Sequence, residues 1–375
     1  MTRIGLIVNP IAGMGGRVGL KGTDGIVERA RELGATPVAA ERTARALVRL
    51  ERDLVSQKHK VGFELIAAAR EMGGDLALGR EFAVDVLPGR NGATSAADTR
   101  AASRELARRE VDLILFAGGD GTGSDIHEIV GDRLPILGIP TGVKMHSAVF
   151  ATSPENAGEV AAAFVLAGAS ARLREAEVVD VDEEAAREGR IETRLYGAAR
   201  VPEDRLRMQS AKARSAPTDE AALDAVCRSL AVGMDPRRIY VLGPGTTTRR
   251  VLEHLGLPKT LLGIDAVRAG SLVGSDLGER ELLALLEGQA ATLVLGVVGG
   301  QGALLGRGNQ QLSPAVLRRI GLENVEVIAG LGKLAVLDPP WLRVDTGDLQ
   351  LDAELAGYRR VHVAPRREVI FRVAA

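Results

Sequence analysis

Short apolar runs alternate with amphipathic stretches along the first third of the chain, as they do where strands and helices take turns. Ile4 to Val8 is a continuous apolar run of the kind buried in parallel sheets. Asn9-Pro10-Ile11-Ala12-Gly13-Met14-Gly15-Gly16 interrupts it, and Asp24 is placed to cap a helix presenting Ile26, Val27, Ala30 and Leu33 on one face. Phe63 to Met72 reads as helical, Phe82 to Leu87 as a strand, and Ser95 to Arg109 as a helix. Val111 to Ala117 is the clearest strand of this half. It runs into a glycine turn, then a helix beginning over Asp125 to Val130, then a short strand from Pro135 to Ile139. The alternation predicts an α/β domain on a parallel sheet.

Past residue 150 the texture changes. Ala157 to Leu166 reads as an alanine-rich helix, and Glu177 to Asp182 and Ile191 to Val201 as strands of a different sheet. Pro202 to Pro217 is polar and irregular, as surface loops are. A strand–loop–helix recurs at Arg238 to Leu242, Gly243 to Thr248 and a helix through Val251, Leu252 and Leu255. Leu261 to Ala266, Thr292 to Val298 and Val325 to Ala329 read as further strands, and Arg359 to Val373 as a hairpin-like pair. Two domains are expected, 1–148 and 149–375, with the final strands open to a return to the first.

Composition narrows the function. At 375 residues the chain is long for a single core. Aromatics are 3%, too few for a surface that stacks nucleic-acid bases, and a net charge of −1 offers no basic field for nucleic acid or anionic membrane. No apolar stretch reaches membrane-spanning length, and the opening residues enter a strand at once, so a cytoplasmic protein is expected. The single cysteine, Cys227, sits in an apolar helical pattern and reads as a small buried hydrophobe. The five histidines show no metal-ligand spacing.

The chemistry concentrates at Gly118-Gly119-Asp120-Gly121-Thr122. A strand delivers the chain to the sheet's carboxyl end, where open α/β sheets bind ligands. Paired glycines let amide N–H groups approach a phosphate, and the following helix adds its dipole. A carboxylate inside an anion cradle repels the anion unless it works, by holding a divalent cation or by taking a proton from an attacking hydroxyl. The alternative is a tight turn with a capping aspartate. A dehydrogenase fits poorly, because no Gly-x-Gly-x-x-Gly fingerprint follows the first strand.

Gly-Gly-Asp-Gly-Thr after a hydrophobic strand resembles the signature of the ATP-NAD kinase family, within the NAD kinase and diacylglycerol kinase superfamily. The Val8 to Gly16 loop and Gly138-Ile139-Pro140-Thr141-Gly142-Val143-Lys144-Met145-His146-Ser147 resemble two further loops of these kinases. Gly16 to Gly25, Val143 to Ala148, Gly243 to Thr248, Gly300 to Gln311 and Leu342 to Asp348 resemble the branch that includes acetoin-catabolism protein X. The resemblance implies a two-domain α/β fold, an N-terminal parallel Rossmann-like domain followed by a β-rich α/β domain. It implies a kinase using ATP or polyphosphate, with Mg²⁺ carried on the donor phosphates and NAD as acceptor at its ribose 2′-hydroxyl. Asp120 is then the catalytic carboxylate, and Gly118, Gly119, Gly121 and Thr122 the phosphate cradle. Asn9, Gly13 and Gly16 lie near the donor, Gly142 and Lys144 on a second glycine turn, and Gly245, Thr246 and Thr247 on a turn that helps close the site. Homo-oligomers are common in the superfamily.

The family's Asn-Glu or Asn-Asp pair has no counterpart between Val178 and Pro217, and the tyrosine of the threonine turn is absent. Two other readings therefore stay open: a kinase of this fold acting on another small-molecule or lipid-like alcohol, and a non-catalytic nucleotide-binding accessory protein in acetoin-type catabolism. Lys144 with His146, and Arg17 with Lys21, either counter phosphate charge or are solvated pairs. Asn309 and Gln310 either bond a base or amide or belong to the capping of the Ser313-Pro314 helix start. Asp265, Asp345 and Asp348 are further ligand candidates, each more simply structural. Thr248 is placed to cap its helix.

Overall fold

The computed structural model describes residues 1–20, 26–56, 62–89, 92–143, 145–181, 193–204, 206–209, 217–298 and 302–375. The expected cap Asp24 and the candidates Lys21, Lys144, Gly300 and Gln301 lie outside them.

Five strands build the first sheet: β1 (Thr2–Val8), β2 (Phe63–Ala67), β3 (Ala83–Val86), β4 (Leu113–Gly118) and β5 (Ile136–Pro140). All pair in parallel, in the order β3-β2-β1-β4-β5. From β1 the chain moves to one side, and from β3 it crosses back to β4 on the other. The carboxyl ends of β1 and β4 thus flank a topological switch point, where α/β sheets open a ligand crevice. β4 is buried along its whole length, which is why it reads as an unbroken apolar run.

Helices α1 (Val27–Glu32), α2 (Ala39–Ser56), α3 (Gly74–Ala77), α4 (Ala96–Arg108), α5 (Asp120–Val130) and α6 (Pro154–Ala167) belong to this domain. Two expectations are corrected. The segment Phe63 to Met72 is not a helix: β2 occupies Phe63–Ala67, followed by one 3₁₀ turn. The five residues, apolar except for Glu64, form an interior strand between β1 and β3, and so short a run does not separate strand from helix by its periodicity. The helix expected from Asp125 starts at Asp120, so Gly121, Thr122 and Gly123 form its first turns. Packing overrides the low helical propensity of those glycines.

Helix α2 buries Ala39, Thr43, Ala46, Leu47 and Leu50 along one stripe. It crosses α6 closely, where a Cβ on Gly158 would stand 2.2 Å from the Ala46 carbonyl oxygen. The first hydrophobic core runs from Ile4 to Met208 and takes in α6, β6 (Leu173–Val181) and β7 (Thr193–Pro202), an antiparallel pair. The expected join at 148/149 therefore falls within a stretch that shares this core.

The second half carries a nine-stranded mixed sheet. Its strands are β8 (Ile239–Leu242), β9 (Asp265–Arg268), β10 (Ser271–Gly274), β11 (Ala291–Gly296), β12 (Ala303–Leu305), β13 (Val325–Ile328), β14 (Leu342–Val344), β15 (Gly357–Ala364) and β16 (Arg367–Ala374). Their order is β10-β9-β8-β11-β13-β15-β16-β14-β12, so the terminal hairpin β15–β16 stays within this sheet. Helices α7 (Pro217–Gly233) and α8 (Thr246–His254) share a core with β8, including the buried Cys227. Burial pushes the Cys227 thiol up to about 12, and its Sγ donates to the Thr247 carbonyl. It is the small buried hydrophobe the sequence describes.

Candidate functional site

At the end of β1, Asn9 spans the switch point. Its backbone N–H donates to the Ala117 carbonyl, and its side-chain Nδ2 donates to Thr122 Oγ1 at 3.1 Å. Its Oδ1 accepts from the Ile11 N–H. One side chain thus ties the loop after β1 to the first turn of α5. Gly13, four residues on, has φ of +76°, and a Cβ there would stand 2.0 Å from the Thr141 oxygen. Only glycine brings this loop so close to the turn after β5.

The turn after β4 meets the turn after β5 backbone to backbone. The N–H groups of Thr141 and Gly142 both donate to the Gly118 carbonyl. A Cβ on Gly142 would come within 2.6 Å of the Gly119 Cα. Asp120 follows at the first position of α5, where the helix dipole favours a negative charge. Its Oδ2 accepts the His146 N–H at 2.6 Å and its Oδ1 the Ser147 N–H at 3.0 Å. Ser147 is itself held on β6, its hydroxyl donating to the Val179 carbonyl and accepting from the Val179 N–H.

Asp120 is 5% exposed. Burial, with the nearby Asp180 charge, raises its pKa to about 6 despite the bonds from Ser147 and His146, which favour the ionised form. The carboxylate is oriented, shielded from bulk water and poised near neutrality, as a proton-accepting carboxylate needs to be.

The second domain closes on the cradle through residues 306–310 and 345. Gln310 Nε2 donates to the Val143 carbonyl at 3.1 Å, and the Gly308 N–H donates to the same oxygen. Gly16 packs on the Gln310 side chain, where an added Cβ would lie 3.0 Å away. Asp345 is ion-paired to Arg42 of α2, both largely buried. Arg307 is buried near Asp345 and Asp120, and burial lowers its pKa to about 10. Arg17, Arg42, Arg45, Arg307 and Gln310 line one interdomain pocket, together with Gly13 and Gly142.

The candidates therefore separate. Asn9, Gly13, Gly16, Gly118, Gly119, Asp120, Gly121, Thr122 and Gly142 converge at the switch point. Gly245, Thr246 and Thr247 open α8 at the end of β8, with the Gly245 N–H bonded to Leu261 and Thr248 Oγ1 bonded to Gly243 and Gly245. Among the described residues, Glu279, Gly308, Gln310 and Asp345 make cross-domain hydrogen bonds to the loops around the cradle and to α2, whereas that turn makes none there. His146 contributes its backbone N–H to Asp120. Asn309 spends its side chain on the Gly306 N–H and the Leu304 carbonyl, shaping its own loop, while Ser313 caps α10 (Pro314–Ile320), the helix after α9 (Glu279–Leu285). Asp265 is buried against Lys259, and Asp348 caps Leu349–Leu355, so both are structural. Arg42 and Arg45 carry no signal in the sequence, because only the fold brings them to the site, whereas Ser147 closes the Gly138 to Ser147 loop.

The two-domain α/β protein thus holds an oriented carboxylate in a glycine cradle at its switch point, where such sheets open a ligand crevice. Residues 4–168 match the ATP-NAD kinase N-terminal domain, and residues 237–373 the ATP-NAD kinase C-terminal domain. The chain belongs to the ATP-NAD kinase family, a family of phosphotransferases. No curated protein matches it.

Proposed function

We propose that this kinase transfers the terminal phosphoryl group of ATP or polyphosphate to the adenosine ribose 2′-hydroxyl of NAD, with Asp120 as general base. The observation that carries the reading is the Asp120 carboxylate, fixed by two amide N–H groups at the start of α5 inside the Gly118–Thr122 cradle. Held there, it orients the acceptor hydroxyl and takes its proton as the oxygen attacks in line. The amides of the cradle and the α5 dipole face the phosphates, with Asn9 and Thr122 holding the two loops in register.

Mg²⁺ would arrive on donor phosphate oxygens, where one or two carboxylates suffice and the ion neutralises charge on the transferring group. Asp120 would supply such a carboxylate. The small-molecule assignment accords with the pocket between the domains, and among the described residues no helix is long and apolar enough to cross a membrane. The kinase would act as a cytoplasmic homo-oligomer.

Incubating the protein with ATP or polyphosphate, Mg²⁺ and NAD, and following NADP, tests the whole reading. NADP formation that falls by about two to four orders of magnitude in Asp120→Asn supports it. Near wild-type turnover in that variant overturns the role of Asp120. Turnover of the donor only with another alcohol overturns NAD as acceptor; the missing family Asn-Glu pair favours that second reading.

A further inference from the structure

The segment after β5 runs along the edge of β6 that β7 leaves open. Ala148 donates its N–H to the Glu177 carbonyl, as one rung of a β ladder does. At the next rung the N–H groups of His146 and Ser147 turn away to the Asp120 carboxylate instead. The N–H and carbonyl of Val179 face that gap, and backbone groups left unpaired away from water are costly. The Ser147 hydroxyl takes both. It donates to the Val179 carbonyl at 2.7 Å and accepts from the Val179 N–H at 3.0 Å. A hydroxyl can do this because one oxygen both donates and accepts. Ser147 is fully buried. The pairing of β6 with β7 shifts register at the same place, Val178 lying opposite Gly197 and Val179 opposite Leu195. Irregularities of this kind re-aim a strand beside a functional site.

We infer that Ser147 is a positioning residue for Asp120, its hydroxyl anchoring to β6 the segment whose two amides aim the carboxylate. The effect of Ser147 reaches the reacting atoms through Asp120. The β6–β7 hairpin, and not α5 alone, thus sets the direction of the carboxylate. This role rests on Asp120 as the base of the proposed kinase. Aim matters there, because a misplacement of about 1 Å costs about a hundredfold in rate.

Hydrogen exchange of the full chain, followed by mass spectrometry, reads the anchor without any substrate. Ser147→Ala is expected to lower the protection of the amides around His146 and Ser147 by about tenfold or more. Arg174→Met is the control. It removes a different tie from β6, to the Ala148 and Gln209 carbonyls, and leaves that protection within about twofold. Steady-state kinetics with ATP, Mg²⁺ and NAD reads the consequence. In Ser147→Ala, kcat is expected to fall about ten- to a hundredfold with both KM values within about twofold of wild type. Arg174→Met keeps the wild-type kcat. Ser147→Cys preserves the shape and weakens both bonds, so it gives the same reading, at about three- to tenfold, should alanine prevent folding. In an Asp120→Asn background Ser147→Ala is expected to lower kcat no further. Unchanged exchange in both Ser147 variants overturns the inference, as does wild-type kcat once protection is lost, or an equal loss of kcat in Arg174→Met. A loss that adds to that of Asp120→Asn overturns action through the carboxylate. Wild-type turnover in Asp120→Asn overturns the kinase reading and the positioning role with it, while the exchange result still shows whether the anchor exists.

Discussion

Asn9 and Thr122 are joined by a 3.1 Å hydrogen bond from Nδ2 to Oγ1, across the switch point of the parallel sheet. Two loops separated by more than a hundred residues are locked there by a single amide. Asn9→Ala removes this bond and the one Oδ1 accepts from Ile11, and is expected to destabilise the fold by about 1–2 kcal/mol. The donor KM should rise about tenfold as the cradle loosens. Chemical denaturation and steady-state kinetics read the two effects separately, and an unchanged KM would remove Asn9 from the donor site.

Asp120 carries a pH signature. If Asp120 is the base of the proposed mechanism, then with its pKa raised to about 6, kcat/KM should climb with pH through that value and level off above it, because the carboxylate must be ionised to accept a proton. Stability runs the other way. A carboxyl whose folded pKa lies above its unfolded value stabilises the fold fully below about pH 4, and that contribution is lost as pH rises through 6. The span is about 3 kcal/mol at most, read as the difference between wild type and Asp120→Asn in urea unfolding at pH 4 and pH 8. Equal pH dependence in the two proteins would contradict the buried, raised carboxyl.

Gly142 is the contact point of two turns. Gly142→Ala places a methyl 2.6 Å from the Gly119 Cα, so one turn must move. Overpacking of this kind costs about 1–3 kcal/mol, and the displacement should lower kcat by about a hundredfold. A melting curve and an activity assay suffice; wild-type kcat would show that the Gly119–Gly142 approach is not needed for chemistry.

The Arg42–Asp345 pair is a buried electrostatic link between the domains. Removing Arg42 leaves Asp345 with Arg45 at 3.9 Å, and removing Asp345 leaves Arg42 with the Pro140 carbonyl, so each single loss should cost about 1–3 kcal/mol and removing both less than the sum. A double-mutant cycle by thermal or chemical unfolding measures the coupling. A coupling near zero would mean the pair does not hold the domains together.

The strand–turn–helix around Asp120 was legible because its signals are local: an apolar run over Leu113 to Ala117, paired glycines, and a periodic stretch after them. The helix start was misplaced by five residues because Gly121 and Gly123 argue against helix locally, and tertiary packing outweighs that preference. Phe63 to Ala67 misled for a different reason. An interior strand of five residues, apolar except for Glu64, is too short for its periodicity to separate strand from helix.

By itself, the sequence determined that a carboxylate sits in a glycine turn between a strand and a helix, since neighbours along the chain specify that arrangement. What faces the carboxylate was decided by the tertiary structure. His146 and Ser147 reach Asp120 through backbone N–H groups, which any residue type carries and no motif reveals. Arg42 and Asp345 lie 303 positions apart and meet only because two separate cores pack against each other. Long-range convergence of charge depends on how the domains close, and no local pattern encodes it.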